Sequence, residues 1–320
     1  MKAIQVNQHG GPEVLTYTDI PTPKPGRSEI KVRNRAIGLN FVDVYFRTGL
    51  YNPGTLPFVP GNEGAGEVVE VGEDVKDFKP GDRVAYIAIL GAYAEESVVP
   101  AQYVVHLPES IQYETAAAVM LKGLTAQYLL RQAFVVKPGQ TILIHAAAGG
   151  VGLIATQWAK YLGATVIGTA GSAKKAAVAR KNGCDYVLNY SEENIAEKVK
   201  EFTDGKGCHV VYDSVGQATF VDSLDSLRPR GYFVSFGSAS GPVENFDLAM
   251  LNKRGSLFAT SPSLFDYIDE INTMSAELFG LIDSGIINIS SPARLPLADA
   301  ARAHAMLESR QTTGATILLP

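Results

Sequence analysis

Cysteine is nearly missing from this chain: of 320 residues only Cys184 and Cys208 carry a thiol, and they lie in separate segments. Two such positions suggest neither a disulfide framework nor a zinc knuckle, which points to a reducing compartment and makes the cytoplasm the expected location. An excess of positive charge is missing as well. The 28 Lys and Arg are outnumbered by 33 Asp and Glu, giving a net charge of −5, so a broad basic surface for nucleic acid is not expected. No apolar run approaches the ~18 residues that a membrane span needs. The opening stretch MKAIQVNQHGGPEV lacks the apolar core of a signal peptide. Histidine is scarce, and His9, His106, His145, His209 and His304 give no ligand pair at a metal-binding spacing.

What is present suits a globular enzyme: 46% hydrophobic and 19% charged residues, which excludes wholesale disorder. The length is generous for one core and comfortable for two domains. Up to about residue 120 the chain is rich in Gly, Pro and short β-branched stretches. KAIQV, EIKVRNRAIGL, GAGEVVEVG and RVAYIAI read as strands, parted by turns such as PKPGR and FKPGD. Near Glu114 the pattern changes to a helical run, ETAAAVMLKGLTAQYLLRQ. From there strands and helices alternate: TILIHA and its helix, ATVIGTA, AKKAAVARKNG, DYVLNY, SEENIAEKVKEF, HVVYDSV, ATFVDSLDSL and GYFVSFG. SLFAT, residues 256–260, reads as a sixth and last strand. Such alternation predicts a doubly wound parallel sheet. A long amphipathic helix is expected over SLFDYIDEINTMSAELFGLIDSG, with Gly285 as its C-terminal cap. IINI, a short helix through AARAHAMLESR, and TILLP follow and are expected to return to the N-terminal domain.

The stretch TILIHAAAGGVG, residues 141–152, carries the most chemistry. A short apolar strand enters a turn of Ala and Gly, and an amphipathic helix leaves it. Small residues let backbone approach a pyrophosphate, and the helix N-terminus offers N–H groups and the positive end of its dipole. Ala147, Gly149 and Gly152 keep the spacing of the dinucleotide fingerprint, with Ala in the first Gly place. The same glycines also suit a turn that only needs tight packing. The next strand ends Thr169, Ala170, Gly171, Ser172, where an NAD site would usually carry an acidic residue for the ribose hydroxyls. Lys174 and Lys175 follow, and with Ser172 they could give charge-assisted donors to a 2′-phosphate, so NADPH is the expected cofactor. A lysine pair on a helix is also what a solvated face looks like.

The longer run GQTILIHAAAGGVGLIATQWAK resembles the signature of the quinone oxidoreductase and zeta-crystallin branch of the medium-chain dehydrogenase/reductase superfamily. PGNEGAGEV, VYDSVG and LESRQTTGATILLP are similar to the same family, so the resemblance spans essentially the whole chain. It implies an α/β protein with a GroES-like, β-rich catalytic domain over 1–122 and 262–320. A Rossmann NADPH domain over 123–261, with a doubly wound parallel sheet of six strands, would lie between them in sequence. Zinc alcohol dehydrogenases of that superfamily need an early Cys and a His. Here Asn40 stands at the Cys position, Gly61-Asn62-Glu63 replaces Gly-His-Glu, and the structural four-cysteine lobe is absent. Neutral amides are poor zinc ligands, so no catalytic metal is expected. An acceptor that takes hydride without a Lewis acid then fits best, either a quinone or a 2-alkenal or enone.

The resemblance also suggests site residues. Asn40 falls near the expected nicotinamide, where its amide could donate to the nicotinamide or to a substrate oxygen; loop capping is the lesser alternative. Asp43 suits orienting a donor, relaying a proton, or capping a helix. Tyr51 is similar to the tyrosine that lines the nicotinamide or quinone side, while Tyr45 suits packing. Thr125 and Tyr128 resemble residues near the nicotinamide face, and Tyr190 the one beside the adenosine phosphate. Ala148, Gly149, Gly150 and Val151 would form the pyrophosphate turn, and Gly171, Ser172 and Lys175 the 2′-phosphate site. Phe236, Gly237, Ser238, Ser261 and Arg310 are similar to further cofactor contacts; Arg310 also suits a last-turn helix cation. Gln157 and Trp158 read as helix-face packing, and the role of Glu63 stays open. The last strand would form a sheet edge, and a homodimer through that edge is expected. A remote alternative is an NADPH-binding, RNA-interacting or structural crystallin-like protein, against which the acidic balance counts.

Overall fold

The computed structural model describes residues 1–309 and 312–320. In chain order the first elements are β1 (Lys2–Val6), β2 (Leu15–Asp19), β3 (Glu29–Gly38), α1 (Phe41–Thr48) and β4 (Glu63–Val71). Then come β5 (Arg83–Ile87), β6 (Glu96–Pro100), β7 (Val104–His106) and α2 (Tyr113–Tyr128). The alternating stretch holds β8 (Thr141–Ile144), α3 (Gly150–Tyr161), β9 (Thr165–Ala170), α4 (Ala173–Lys181), β10 (Tyr186–Asn189) and α5 (Ile195–Phe202). It continues through β11 (Cys208–Asp213), α6 (Phe220–Asp225), β12 (Leu227–Ser235), α7 (Leu248–Lys253) and β13 (Phe258–Thr260). The chain closes with α8 (Ile271–Asp283), β14 (Ala293–Pro296), α9 (Ala300–Glu308) and β15 (Thr316–Leu319). No helix among the described residues is long and apolar enough to cross a membrane.

Contacts divide the chain into two units, 1–124 with 269–283 and 289–320, and 125–268 with 284–288. The expected breaks lay after 122 and 261. The first break by contacts, after Leu124, lies two residues further on and also inside α2, which runs unbroken from Tyr113 to Tyr128. The short return at 284–288 follows from Gln157 on α3: its side chain accepts from Asn288 N at 2.8 Å and donates to Asn288 O. Gln157 thus holds a loop as well as facing its helix.

In the first unit β14, β15, β3, β4, β5 and β7 form one sheet in that order, and β6 also pairs with β3. Alternation along β3 sends Ile30 and Val32 into an apolar core with Val68, Val84 and Tyr86, and Ile37 joins it beyond an irregularity in register between Asn34 and Ala36. α1 begins at Asn40 and ends at Gly49, whose φ of +82° is the left-handed conformation glycine accepts most readily.

The second unit is a six-stranded parallel sheet in the order β10-β9-β8-β11-β12-β13. The order reverses beside β8, and in such sheets ligands bind outside the carboxyl ends of the strands at that reversal. Its core joins Leu143, Ile167, Leu188, Val211 and Phe233, one from each of five strands. Several expected boundaries move. The last strand is Phe258–Thr260 rather than 256–260, because Ser256 sits at φ +58° and breaks the extended run. The helix expected from Ser191 starts at Ile195, where the Asn194 side chain caps Glu197 N at 3.1 Å. The helix expected over 263–285 is a 3₁₀ stretch, Leu264–Glu270, followed by α8. Gly285, at φ +72°, lies just beyond that helix.

Close approach sets the geometry where β8 meets α3. A Cβ added to Gly152 would lie 2.5 Å from Ala146 O and 2.8 Å from Ala147 Cα. Neither atom belongs to a flexible side chain, so backbone would have to move. Gly152→Val is expected to lower unfolding free energy by about 2–4 kcal/mol, measured by urea denaturation. A change within about 0.5 kcal/mol would show that the turn has slack.

Candidate functional site

In the second unit, the turn after β8 is shaped by Ala146, a non-glycine residue at φ +51°. Hydrogen bonds fix it: Ala147 N to Thr169 O at 2.9 Å, Gly149 N to Ala146 O at 2.8 Å, and Ala146 N to Thr169 Oγ1 at 3.3 Å. His145 Nδ1 lies 3.1 Å from that Thr169 hydroxyl, and its Nε2 lies 2.9 Å from Ser223 Oγ. The Ser223 hydroxyl in turn donates to Asp213 at 2.7 Å. Ser223 therefore accepts from His145 Nε2–H, and Nδ1 accepts from Thr169, a neutral ring in one tautomer. Burial holds the His145 pKa below its usual value, in keeping with that state.

Ala148 is buried beside this turn, and Gly149, Gly150 and Val151 are half-buried where α3 begins. The first N–H groups of a helix have no intrahelical partner. At the end of β9, a Cβ on Gly171 would meet the Tyr190 hydroxyl at 2.2 Å, so Gly171 and Tyr190 are in close contact. Ser172 is the N-cap of α4; its Oγ accepts from Lys175 N at 3.3 Å, and the Lys175 side chain is half-buried in the first turn. Lys174 is exposed. Phe236, Gly237 and Ser238 follow β12, and Phe236 N donates to Asp213 O at 2.8 Å. Ser261 is exposed one residue beyond β13. Thr125 and Tyr128, three residues apart, share a face of α2, and Tyr128 stacks on Tyr267 at 4.8 Å with planes 5° apart. A five-residue π-helical turn, Leu129–Ala133, follows directly. Arg310 lies outside the described residues.

In the first unit Asn40, Asp43 and Tyr51 gather around α1. Asn40 N donates to Asp43 Oδ2 at 2.7 Å, so Asp43 takes the helix-capping role. The Asn40 side chain faces Asp43 N in the same capping box. Its Nδ2 donates one of its two hydrogens to Glu63 Oε1 at 2.7 Å. Glu63 is fully buried and also accepts from Lys122 Nζ at 2.6 Å and Leu121 N at 2.6 Å. Tyr51 N reaches Tyr45 O at 3.0 Å, and its half-exposed ring meets Tyr45 and Phe46 edge-on at 5.1 and 5.7 Å. Tyr45 is buried, as packing requires.

A polar chain behind Asp43 escapes any local motif, because its members are up to 261 residues apart. Arg47 donates to His304 Nδ1 at 3.1 Å and to both carboxylate oxygens of Glu308 at 2.6 and 2.9 Å. Arginine only donates, so His304 Nε2 carries the proton and gives it to the Tyr93 oxygen at 3.1 Å. The Tyr93 hydroxyl then donates to Asp43 Oδ2 at 2.9 Å.

Residues 150–276 match the family described as zinc-binding dehydrogenase, and residues 26–109 match the alcohol dehydrogenase GroES-like domain. The chain is 55% identical over 323 residues to a quinone oxidoreductase of Pseudomonas aeruginosa, covering 100% of this chain and 99% of that one. A crystal structure of the Escherichia coli quinone oxidoreductase complexed with NADPH superposes with a TM-score of 0.98 at 50% identity, covering 100% of both chains. A 2-haloacrylate reductase from Burkholderia is 44% identical, covering 99% of this chain and 98% of its own length. The chain belongs to the zinc-free quinone oxidoreductase branch of the medium-chain dehydrogenase/reductase superfamily. Its two units are a GroES-like domain and a Rossmann domain.

Against that family background the donor set at the zinc position is decisive. Asn40 is committed to Glu63, and Asn62 Nδ2 donates to the carbonyls of Ala88 and Ile89. Lys122 already neutralises the one carboxylate. Amides and a paired carboxylate do not fit a zinc ion. Among the described residues no group of three His, Cys, Asp or Glu could hold a metal.

The chain behind Asp43 has a pH signature. Burial pushes the Asp43 carboxyl from its usual 3.8 up to about 7, against the pull of the Asn40 N–H and the Tyr93 hydroxyl. Burial, then the Arg47 charge, pushes His304 from 6.5 down to about 3. Asp43 therefore stabilises the fold in acid, and that share fades as pH rises toward about 7. His304 does the reverse, and its share is lost as pH falls from 6.5 toward about 3. Between these values the two slopes oppose. Asp43→Asn should lose about 2 kcal/mol more than the parent when acidified from about pH 6.5 to about pH 4.5. His304→Gln should instead weaken, relative to the parent, as pH rises over the same interval. Urea denaturation at both pH values measures this, and parallel profiles for all three proteins would refute it.

Proposed function

We propose that this protein reduces quinones by hydride transfer from NADPH, with neither metal nor flavin. The observation that carries the reading is the Asn40–Glu63–Lys122 arrangement, which puts a committed amide where the zinc relatives need a ligand. Without a Lewis acid, a reductase depends on an acceptor already prone to take hydride, and quinones are of that kind. The full-length identity to quinone oxidoreductases supports the same acceptor.

The residues of the second unit fit a dinucleotide. Gly149 and Gly152 keep side chains away from the start of α3, as close approach of a pyrophosphate demands. Ala148 to Val151 would supply backbone N–H donors there. No carboxylate ends β9; Ser172 and Lys175 stand in its place to take a 2′-phosphate, beside Gly171 and Tyr190. Phe236, Gly237, Ser238 and Ser261, all following strand ends, would line the cofactor with Thr125 and Tyr128. Arg310 is proposed for the same contact set from its sequence position. When bound, NADPH supplies the hydride. The chain supplies positioning and exclusion of water, worth several orders of magnitude in rate. Asn40 and Tyr51 are the proposed contacts on the reacting side, and Asp43 orients Asn40 through its backbone N–H.

A second reading, reduction of activated alkenes, is favoured by the 2-haloacrylate reductase relative. Homodimerisation is proposed through β13, a three-residue edge strand exposed along its whole length, with Phe258 stacked on Tyr232. A cytoplasmic location is part of the same proposal.

Following NADPH absorbance with a panel of quinones and 2-alkenals tests the assignment. Quinones are expected to give the higher kcat/KM; dominant alkenal turnover would transfer the assignment to the second reading, and no turnover with either would refute both. Lys175→Ala should weaken NADPH binding by about 1.5–3 kcal/mol and leave NADH nearly unchanged. Equal weakening of both would remove the 2′-phosphate site.

A further inference from the structure

Asp213 ends β11 fully buried, and four donors converge on its two oxygens. Val215 N and Gly216 N reach Oδ1 at 2.8 and 3.0 Å, and the Thr219 and Ser223 hydroxyls reach Oδ2 at 2.8 and 2.7 Å. A carboxylate so surrounded only accepts, and that fixes the direction of every bond behind it. Ser223 must spend its hydrogen on Asp213, so its oxygen takes the His145 Nε2–H at 2.9 Å. Nδ1 of the neutral ring is then an acceptor, and the Thr169 hydroxyl gives it a hydrogen at 3.1 Å. What Thr169 Oγ1 has left is a lone pair, and Ala146 N–H donates to it at 3.3 Å.

One end of this chain meets a strained backbone. Ala146 stands at φ +51°, and its carbonyl takes Gly149 N at 2.8 Å, the residue that caps the start of α3. The other end reaches a second loop. Asp213 O accepts from Phe236 N at 2.8 Å, Ser240 N donates to Val215 O at 2.7 Å, and a Cβ on Gly216 would fall 2.4 Å from Gly241 O. One buried carboxylate therefore stands between the turn after β8 and the loop after β12. His145, Thr169 and Ser223 are at most 1% exposed, so these side chains act through the backbone they hold.

We propose that Asp213, Ser223, His145 and Thr169 are positioning residues for the dinucleotide: their one-way chain of hydrogen bonds holds Ala146 in the left-handed conformation that shapes the pyrophosphate turn. Given the NADPH reading above, on which this rests, the pyrophosphate is the part of the cofactor that feels the chain. The 2′-phosphate site is held separately, by the bond from Lys175 N to Ser172 Oγ at the start of α4. Without the Thr169 hydroxyl, Ala146 N–H loses its partner and the left-handed conformation loses its support. Ala147 N is unaffected, because it bonds the Thr169 backbone oxygen. A chain that served stability alone would weaken every ligand of this unit together.

Calorimetric titration of the parent, Thr169→Val and Thr169→Ser with NADPH, 2′-phospho-ADP-ribose and 2′-AMP tests this. Thr169→Val is expected to weaken the two pyrophosphate ligands about tenfold and 2′-AMP by less than about twofold. Thr169→Ser, which keeps the hydroxyl, should bind all three within about threefold of the parent. Equal losses for all three ligands, no loss, or a loss that serine does not restore would overturn the proposal. If Thr169→Val does not fold, the direction of the chain decides. Nitrogen NMR of the parent should find the His145 proton on Nε2. Ser223→Ala, which removes the acceptor of that proton, should redistribute it and weaken NADPH more than 2′-AMP. A proton on Nδ1 in the parent, or Ser223→Ala binding like the parent, would overturn the proposal. A parent that binds none of the three ligands sinks the cofactor reading and this proposal with it. A parent that binds NADPH but reduces no quinone sinks the quinone assignment alone, because these readouts need no turnover.

Discussion

A buried carboxylate must be neutralised, protonated or surrounded by donors, and the fold uses all three answers. Glu63, Asp43 and Asp213 are each fully buried. Glu63 pairs with Lys122 at 2.6 Å. Asp43 has no cation in contact, and its pKa has risen to about 7. Asp213 accepts from Val215 N, Gly216 N and the hydroxyls of Thr219 and Ser223. Leaving any of these groups unpaired would cost several kcal/mol, a large share of a typical domain's stability. The elements around them are therefore held in register: α1 and α2 to β4 in the first unit, and the β11 and β12 ends to α6 in the second.

The same polar groups set the shape of the proposed site. Asp213 fixes Ser223, Ser223 fixes the tautomer of His145, and His145 meets the Thr169 hydroxyl that holds Ala146 in its left-handed conformation. A non-glycine residue at positive φ costs about 1 kcal/mol or more, and such a network is what makes that conformation persist. In the first unit Asn40 is held from both sides, by Asp43 at its backbone and by Glu63 at its side chain. Both arrangements place rigidity behind a surface rather than on it, which is what preorganisation requires.

Local chemistry was readable from the sequence, and long-range pairing was not. The alternation of strands and helices marked the parallel sheet, because a buried strand and an amphipathic helix differ in period. The turn at 146–152 was legible because close approach leaves only Gly and Ala as candidates. Boundaries failed where one residue decides: Asn194 starts a helix late by capping it, and Ser256 shortens a strand by its φ. The role of Asn40 was half legible. Its position could be placed, but its hydrogen-bond sense depends on Glu63, 23 residues on, and that in turn on Lys122, 59 residues further. His304 looked idle because its partners, Arg47 and Tyr93, lie 257 and 211 residues away.

The exchange of metal ligands for amides changes more than the metal. A zinc ion brings a double positive charge that both organises the residues around it and polarises a substrate oxygen. In this chain the organising half of that task falls to Lys122, a single charge that Glu63 consumes completely. No net cation is left at that point to polarise a carbonyl, and a neutral amide takes the position a ligand would occupy. An alcohol, which must lose a proton before it gives up hydride, gains little from such surroundings. An acceptor whose own π-system takes up the charge gains what the site does offer: a fixed amide, a fixed backbone and the absence of a competing ligand. On the proposed reading, the buried ion pair is what narrows the chemistry to acceptors of that kind.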